Sequence, residues 1–208
     1  MIRDGVFTMN NGKISGNTSI GVGGGVRAYV ENGIFTMSGG EISGNSGTIG
    51  GGVRLSGRAA FTMTGGRISG NKATGDGGGV AIANDDTIFN LNGGEISGNT
   101  ASGSGTGVRR SSGTFNLNGG VVAGTGTAAS SVVSGTYNLN TASPNNAVII
   151  AWNRPTGNIP NYTAGANTNL TISAGATATW ANQGGVSSEA GLGISYTNGA
   201  NRGWLRLW

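Results

Sequence analysis

Every phenylalanine in this chain occupies the same position of one repeat. The five residues are Phe7, Phe35, Phe61, Phe89 and Phe115. They follow one another at intervals of 28, 26, 28 and 26 residues, and Tyr137 follows 22 residues later. An interval of this length marks a repeat architecture, in which each unit stacks on its neighbours. The chain is therefore expected to fold as a stack of similar units.

Four further columns of residues keep the same spacing. An apolar residue lies two positions after the aromatic one, at Met9, Met37, Met63, Leu91, Leu117 and Leu139. Another lies seven positions after it, at Ile14, Ile42, Ile68, Ile96 and Val122. Valine closes a glycine-rich run at Val26, Val53, Val80 and Val108. Asparagine ends a Ser-Gly-Asn or similar triplet at Asn17, Asn45, Asn71 and Asn99.

Each repeat thus contains three short apolar segments separated by glycine turns. Segments this short with alternating apolar residues are typical of strands, not of helices with a 3.6-residue period. Stacking each strand on its counterpart one repeat later gives three parallel sheets, and crossover chirality favours a right-handed coil. We predict an all-β, right-handed parallel β-helix of about 5–6 coils of 26–28 residues, rising about 4.8 Å per coil. Rings should stack on rings, and the asparagines should form a ladder.

The pattern changes after Tyr137. All three prolines and all four tryptophans lie beyond it. Residues 1–140 are predicted to be repeat coils, and residues 141–208 irregular, β-rich coils that cap the same solenoid. In the last strand, alternation predicts Trp204, Arg206 and Trp208 on one face, where an aromatic pair could contact a sugar ring or pack beneath the cap.

Two repeats carry a resemblance to known proteins. The segments Phe35-Thr-Met-Ser-Gly-Gly-Glu-Ile-Ser-Gly-Asn45 and Phe61-Thr-Met-Thr-Gly-Gly-Arg-Ile-Ser-Gly-Asn71 resemble right-handed β-helix repeats of bacterial surface proteins, including adhesins and autotransporter passengers. The resemblance covers about residues 5–140 and implies an extracellular or cell-surface location. It implies no activity, because this fold carries enzymes as well as inert stalks. The first residues lack the apolar region of a signal peptide, so we expect a segment of a longer exported chain.

Composition removes several classes of function. Cysteine and histidine are absent, which excludes disulfides, thiolate metal sites and imidazole bases, so no metal or cofactor is expected. The net charge of +4 is scattered along the chain, unlike the clustered basic residues of nucleic-acid-binding proteins. No apolar run is long enough to insert into a membrane.

The candidate ligand-binding residues are arginines that follow the valine column. Arg27, Arg54 and Arg109 share one predicted outward position, interrupted by Ala81, and Arg110 lies nearby. Stacked like charges are unfavourable, so a chain that keeps them could bind an anionic glycan or another acidic surface polymer. The interpretation favoured by the sequence is that these arginines are solvated, with Glu31 partly compensating their charge.

Other regular columns have structural explanations. Lys13, Glu41, Arg67, Glu95 and Val121 share a column whose alternating charges predict cross-strand ion pairs. The outward residues Thr8, Thr36, Thr62, Asn90, Asn116 and Asn138 predict hydroxyl and amide ladders. An ice-binding surface is the alternative for this column, which changes from threonine to asparagine halfway.

The favoured function is a non-enzymatic structural or adhesive module that binds a polymer or surface, with specificity from variable loops on a rigid scaffold. One alternative is a polysaccharide lyase or glycoside hydrolase, which needs clustered acids that only Asp76, Asp85 and Asp86 could supply after folding. A second alternative is a filament subunit that stacks end to end through an uncapped N-terminal face.

Overall fold

A computed structural model describes residues 1–29 and 33–125, together with the backbone of eight short strands between Val133 and Leu207. Side chains are described up to Ala123. All the regular elements in this described part are β-strands, and three parallel sheets run along it. The chain is therefore a parallel β-solenoid, and Phe7 and Phe115 are separated by four complete turns.

The first sheet, here called the valine sheet, consists of strand Ile2–Arg3 and the strands that start with the repeated valine. Its strands in spatial order are Ile2–Arg3, Val26–Tyr29, Val53–Leu55, Val80–Ile82, Val108–Arg110 and Val133–Ser134. The valines pair directly with one another from coil to coil. Buried residues alternate with half-buried ones in the two strands that follow Ile2–Arg3. The inner face of this sheet therefore lies against the core.

The second sheet, the phenylalanine sheet, contains the aromatic column. Its strands in spatial order are Val6–Met9, Ile34–Met37, Ala60–Met63, Ile88–Leu91, Thr114–Leu117, Tyr137–Leu139 and Leu170–Ile172. The predicted register is confirmed, since each phenylalanine pairs with the next in all four steps from Phe7 to Phe115.

The third sheet, the isoleucine sheet, begins as a parallel ladder and ends differently. Its parallel strands are Lys13–Ser15, Glu41–Ser43, Arg67–Ser69, Glu95–Ser97, Val121–Thr125 and Val148–Trp152. Strand Arg202–Leu207 then pairs antiparallel with Val148–Trp152 on one side and with Ala178–Gln183 on the other. A separate antiparallel pair joins Ser187–Ser188 to Ser195–Tyr196. The irregular β-rich ending of the solenoid thus includes a reversal of strand direction that the sequence did not indicate.

A fourth, shorter ladder follows the asparagine column. It consists of two-residue strands at Ser46–Gly47, Lys72–Ala73 and Thr100–Ala101. An isolated bridge between Thr18 and Ser46 extends it to the first coil. These residues begin the segments that follow the repeated asparagine, so each of those segments starts with hydrogen-bonded backbone.

The core is filled by like residues lying on like. Phe35, Phe61 and Phe89 are fully buried, and neighbouring rings from Phe7 to Phe115 lie 5.3, 4.4, 4.7 and 5.0 Å apart, centroid to centroid, in nearly parallel planes. Burial of each side chain contributes about 1.5–3 kcal/mol, and contact between neighbouring rings adds about 0.5–1.5 kcal/mol. The stacked phenylalanines therefore stabilise the register in which successive coils pair.

The asparagine ladder supports the turn between the isoleucine sheet and the short ladder. The side-chain amide of Asn45 donates to Oδ1 of Asn71 at 2.9 Å, and that of Asn71 donates to Oδ1 of Asn99 at 2.9 Å. Each amide also donates to a backbone carbonyl of the preceding coil, as Asn71 does to Ile42. Because these three asparagines are buried, the ladder satisfies polar groups that would otherwise lack partners.

Candidate functional site

The outer face of the valine sheet carries the predicted arginine row. Arg27 pairs with Arg54, Arg54 pairs with Ala81, and Ala81 pairs with Arg109. The three arginines are half-buried, while Ala81 is fully buried. The prediction that these four residues share one column is confirmed, and the row consists of an adjacent pair, a gap and a single arginine.

A glycine turn places each arginine of the row. Gly50 has a φ of 72° and lies four residues before Arg54. A Cβ added to it would lie 2.5 Å from the carbonyl oxygen of Val53 and 3.0 Å from Cα of Arg54. The turn therefore folds directly against the strand that carries the arginine, which only a residue without a side chain allows. Gly23 occupies the same place beside Arg27, with a φ of 72°.

Among the described residues, Arg109 has an acidic neighbour, whereas Arg27 and Arg54 have none. Nε of Arg109 lies 3.6 Å from Oδ2 of Asp76, whose Oδ1 accepts a hydrogen bond of 2.7 Å from the backbone N–H of Ser104. Asp76 lies in the turn one coil before Arg109, and backbone bonds between successive turns show that Val22 holds the corresponding position one coil before Arg54. Beside Arg54, therefore, an aliphatic side chain takes the place of the carboxylate.

Arg27 and Arg54 form the uncompensated part of the row. Neither has an ion-pair or hydrogen-bond partner for its guanidinium among the described residues, and Nε of Arg27 is buried without an acceptor. The pKa of Arg54 is lowered first by burial and second by the charge of Arg27. Two adjacent cations that raise each other's free energy are favourably placed to bind an anion.

Tyr29 joins a third arginine to this pair. The guanidinium carbon of Arg27 lies 4.4 Å from the centre of the Tyr29 ring, and that of Arg3 lies 5.3 Å from it. Cation–π contacts of this kind contribute about 0.5–1 kcal/mol at partly exposed sites. The ring thus contacts the guanidinium groups of Arg3 and Arg27, of which Arg27 is paired with Arg54, and we call Arg3, Arg27, Tyr29 and Arg54 the arginine cluster. Glu31, expected to compensate the charge, lies outside the described residues.

Arg110 does not extend the row. It pairs with Ile82, which pairs with Leu55, so it occupies the column that earlier coils fill with buried aliphatic residues. Its Nε donates a hydrogen bond of 2.7 Å to the carbonyl of Gly113, and Nη1 of Arg109 donates to the carbonyl of Arg110 at 3.1 Å. The sequence alone could have shown that Arg110 does not share the outward column of Arg109. Side chains alternate along a strand, and Arg110 lies two residues after the inward Val108.

The alternating charge column forms ion pairs, as predicted. Nζ of Lys13 lies 3.1 Å from Oε2 of Glu41, and Nη2 of Arg67 lies 3.6 Å from Oε1 of Glu95. Each pair spans one coil on the outer face of the isoleucine sheet. These acids therefore have structural partners.

Of the candidate acids Asp76, Asp85 and Asp86, the first and the last lie beside different arginines. Asp76 lies beside Arg109, whereas Oδ2 of Asp86 lies 3.5 Å from Nε of Arg58. Within the part of the chain that the structure describes, no group of three acidic side chains could hold a metal ion.

The outward threonine and asparagine column is in register as predicted. Asn116 donates from Nδ2 to Oδ1 of Asn90 at 2.7 Å, which confirms an amide ladder at this step. A second outward row, two residues further on, was not predicted. In it Ser38 donates to Asn10 at 2.8 Å and Asn118 donates to Asn92 at 2.7 Å. Both rows form hydrogen bonds between coils, although Oδ1 of Asn118 is buried without a donor.

The first coil leaves one end of the core open. A cavity of about 390 Å³ lies there, lined by residues that include Ile2, Phe7, Ile14 and Val26. Phe7 and Ile14 are only half-buried, and Val6 is 69% exposed. The stacking that buries later coils is thus incomplete at this end.

The C-terminal candidates are only partly described. Trp204 and Arg206 belong to strand Arg202–Leu207, where Trp204 pairs with Ile150 and Ala181. Trp208 lies outside the described residues.

Comparisons with protein-family models, with curated proteins and with solved structures found no match. The described residues include no helix long and apolar enough to cross a membrane. The function must therefore be argued from the surface of the solenoid itself.

Proposed function

We propose that this chain is a non-enzymatic structural or adhesive module, secreted or exposed at a cell surface, that binds an anionic polymer or surface. The single observation that supports this function is the adjacent pair Arg27 and Arg54, which lie in register on the outer face of the valine sheet without acidic partners among the described residues. A polyanion would supply the negative charge that no described residue places beside these two arginines.

The scaffold beneath the pair is suited to binding without a change of shape. The strand that carries Arg54 lies between two neighbouring coils, and its turn is joined to both by backbone hydrogen bonds. Because the arginines start from strands and not from flexible loops, little backbone order has to be gained when a polymer binds. A polymer that lies parallel to the axis of the solenoid would contact Arg27 in one coil and Arg54 in the next.

The two ends of the solenoid differ, which favours this function over filament formation. The first coil presents parallel strand edges, whereas the isoleucine sheet ends in the antiparallel strands Arg202–Leu207 and Ala178–Gln183. The outermost strand Ala178–Gln183 runs in the same direction as Val148–Trp152, but the ladder of repeated positions that joins successive coils is interrupted before it by the antiparallel strand Arg202–Leu207. We therefore favour a laterally binding module.

The test measures binding of the purified chain to immobilised polygalacturonate, heparin and neutral dextran. Arg54→Gln should weaken binding to the two polyanions about fivefold, since each arginine near an anionic surface contributes about 1 kcal/mol. Arg67→Gln removes one charge from an ion pair on the isoleucine sheet and serves as the matched control. Binding should also weaken between about 50 and 500 mM salt because exposed charges are screened.

Two results would refute the proposal. Equal weakening by Arg54→Gln and Arg67→Gln would show that binding depends on net charge and not on the arginine row. Release of oligosaccharides from either polyanion would show that the chain is an enzyme.

A further inference from the structure

The arginine cluster also indicates which anionic group the module binds. We infer that Arg27 and Arg54 together bind one doubly charged oxyanion, a phosphate monoester carried by a polymer, in preference to carboxylate or sulfate groups. This inference rests on the proposed function and specifies the chemistry of the same site.

The charge balance is the first argument. Arg27 and Arg54 contribute two positive charges at adjacent positions, and Arg3 adds a third through its contact with Tyr29. The carboxylate of Asp76, in the next turn along the axis, is directed at Ser104 and Arg109. A carboxylate or a sulfate ester carries one negative charge, whereas a phosphate monoester carries about 1.5–2 at neutral pH. Of the three groups, the phosphate monoester alone balances Arg27 and Arg54 with the charge of a single group.

Geometry is the second argument. Neighbouring strands of a sheet lie about 4.8 Å apart, so the two guanidinium groups project from positions one strand spacing apart. All the nitrogens of Arg54 and the two terminal nitrogens of Arg27 reach solvent without a hydrogen-bond acceptor among the described residues. Guanidinium forks bind phosphate with two parallel hydrogen bonds, and the three terminal oxygens of a phosphate monoester can accept from both arginines.

Tyr29 makes the pair of Arg27 and Arg54 more selective for phosphate, because its ring restrains the guanidinium of Arg27. With Arg27 lying 4.4 Å from the ring centre and Nε of Arg27 buried, that guanidinium has less freedom than a solvated one. A preorganised donor loses less entropy on binding, which rewards a ligand that fits both arginines at once. The ring is already in contact with Arg3 and Arg27, so it is not the surface on which a sugar would stack.

The experiment compares dextran phosphate, dextran sulfate and carboxymethyl dextran with equal densities of anionic groups. The wild-type chain should bind dextran phosphate at least fivefold more tightly than the other two at neutral pH, by roughly one further charge interaction. Lowering the pH from about 7.5 to about 5 should weaken binding to dextran phosphate, because the second phosphate pKa is near 6. Dextran sulfate keeps its charge over this range and therefore controls for any effect of pH on the protein itself.

Two variants separate this inference from the proposed function. Arg54→Lys keeps the charge but not the fork, so it should retain polyanion binding and lose the preference for phosphate. Arg54→Gln should weaken binding to all three polymers. Equal affinity for the three polymers with no pH dependence, while Arg54→Gln still weakens binding, overturns the phosphate inference and leaves the proposed function standing. Tight binding to phosphatidic acid vesicles without binding to dextran phosphate also overturns it.

Discussion

Oδ1 of Asn71 accepts two hydrogen bonds from Asn45 in the preceding coil, one from the backbone N–H at 3.0 Å and one from the side-chain amide at 2.9 Å. Asn71 in turn donates to Ile42 and Asn99. One side chain thus links three coils. Because the residue is fully buried, no water can replace these bonds if the side chain is removed.

Asn71→Ala should therefore lower the free energy of unfolding by about 2–4 kcal/mol, since at least two buried polar groups lose their partners. Asn92→Ala is the matched control, because Asn92 is exposed and belongs to the outer amide row. Its effect should stay within about 0.5 kcal/mol. Denaturant unfolding followed by circular dichroism measures both. Equal effects of the two substitutions would show that the buried ladder adds nothing beyond the exposed one.

Phe61→Ala should lower the free energy of unfolding by about 3–5 kcal/mol, because it removes a fully buried ring with neighbours on both sides. Phe7→Ala should have a smaller effect, since that ring is half-buried and stacks only on Phe35. The same denaturant measurement compares the two variants. A loss below about 1 kcal/mol for Phe61→Ala is incompatible with an interior ring.

The regular columns explain why so much of this fold was predictable. Phe89 pairs with Phe115 and Asn71 bonds to Asn99 because identical positions in successive coils must lie over one another. Sequence spacing alone therefore gives the register. The short ladder at Lys72–Ala73 was missed because two-residue strands leave no apolar alternation to detect.

The arginine site was predictable only as a column. Arg27 and Arg54 were placed correctly by their spacing from the valines, but their difference from Arg109 depends on Asp76, which is 33 residues before Arg109 in the sequence. The contact of Tyr29 with two guanidinium groups depends on side-chain directions that spacing does not give.

Gly51→Ala should destabilise the chain by about 3 kcal/mol, at the upper end for overpacking. A Cβ at this position would lie 2.5 Å from the carbonyl carbon and oxygen of Lys72 and 2.7 Å from the carbonyl oxygen of Gly78, all backbone atoms of the next coil. Gly44→Asn is the control, because Gly44 has a φ of 63° with open space around it, and asparagine tolerates that conformation. Thermal unfolding should show a clear loss for Gly51→Ala only, and a similar loss in the control would contradict the steric explanation.

The ion pair of Lys13 and Glu41 predicts a pH dependence. The pKa of Glu41 is lowered below its ordinary value, first by a hydrogen bond from Lys13 and second by one from Ser43. A carboxylate with a lowered pKa stabilises the folded chain above its unfolded pKa, and this contribution is lost as the pH falls through the folded pKa. Glu41→Gln should therefore lower the unfolding midpoint near neutral pH and leave it unchanged at about pH 2. A difference from wild type that stays constant over this range would contradict the prediction.

Asp76→Asn should increase the affinity for polyanions about fivefold, because it removes the negative charge that lies 3.6 Å from Nε of Arg109 on the arginine row. The amide oxygen of asparagine can still accept the hydrogen bond that Ser104 donates to Asp76, so the turn should keep its shape. Asp86→Asn is the matched control, since it removes the same charge beside Arg58, away from the arginine row. Binding to heparin at constant salt measures both variants. If Asp86→Asn raised the affinity as much as Asp76→Asn, the gain would reflect net charge, and Arg109 would not belong to the binding surface.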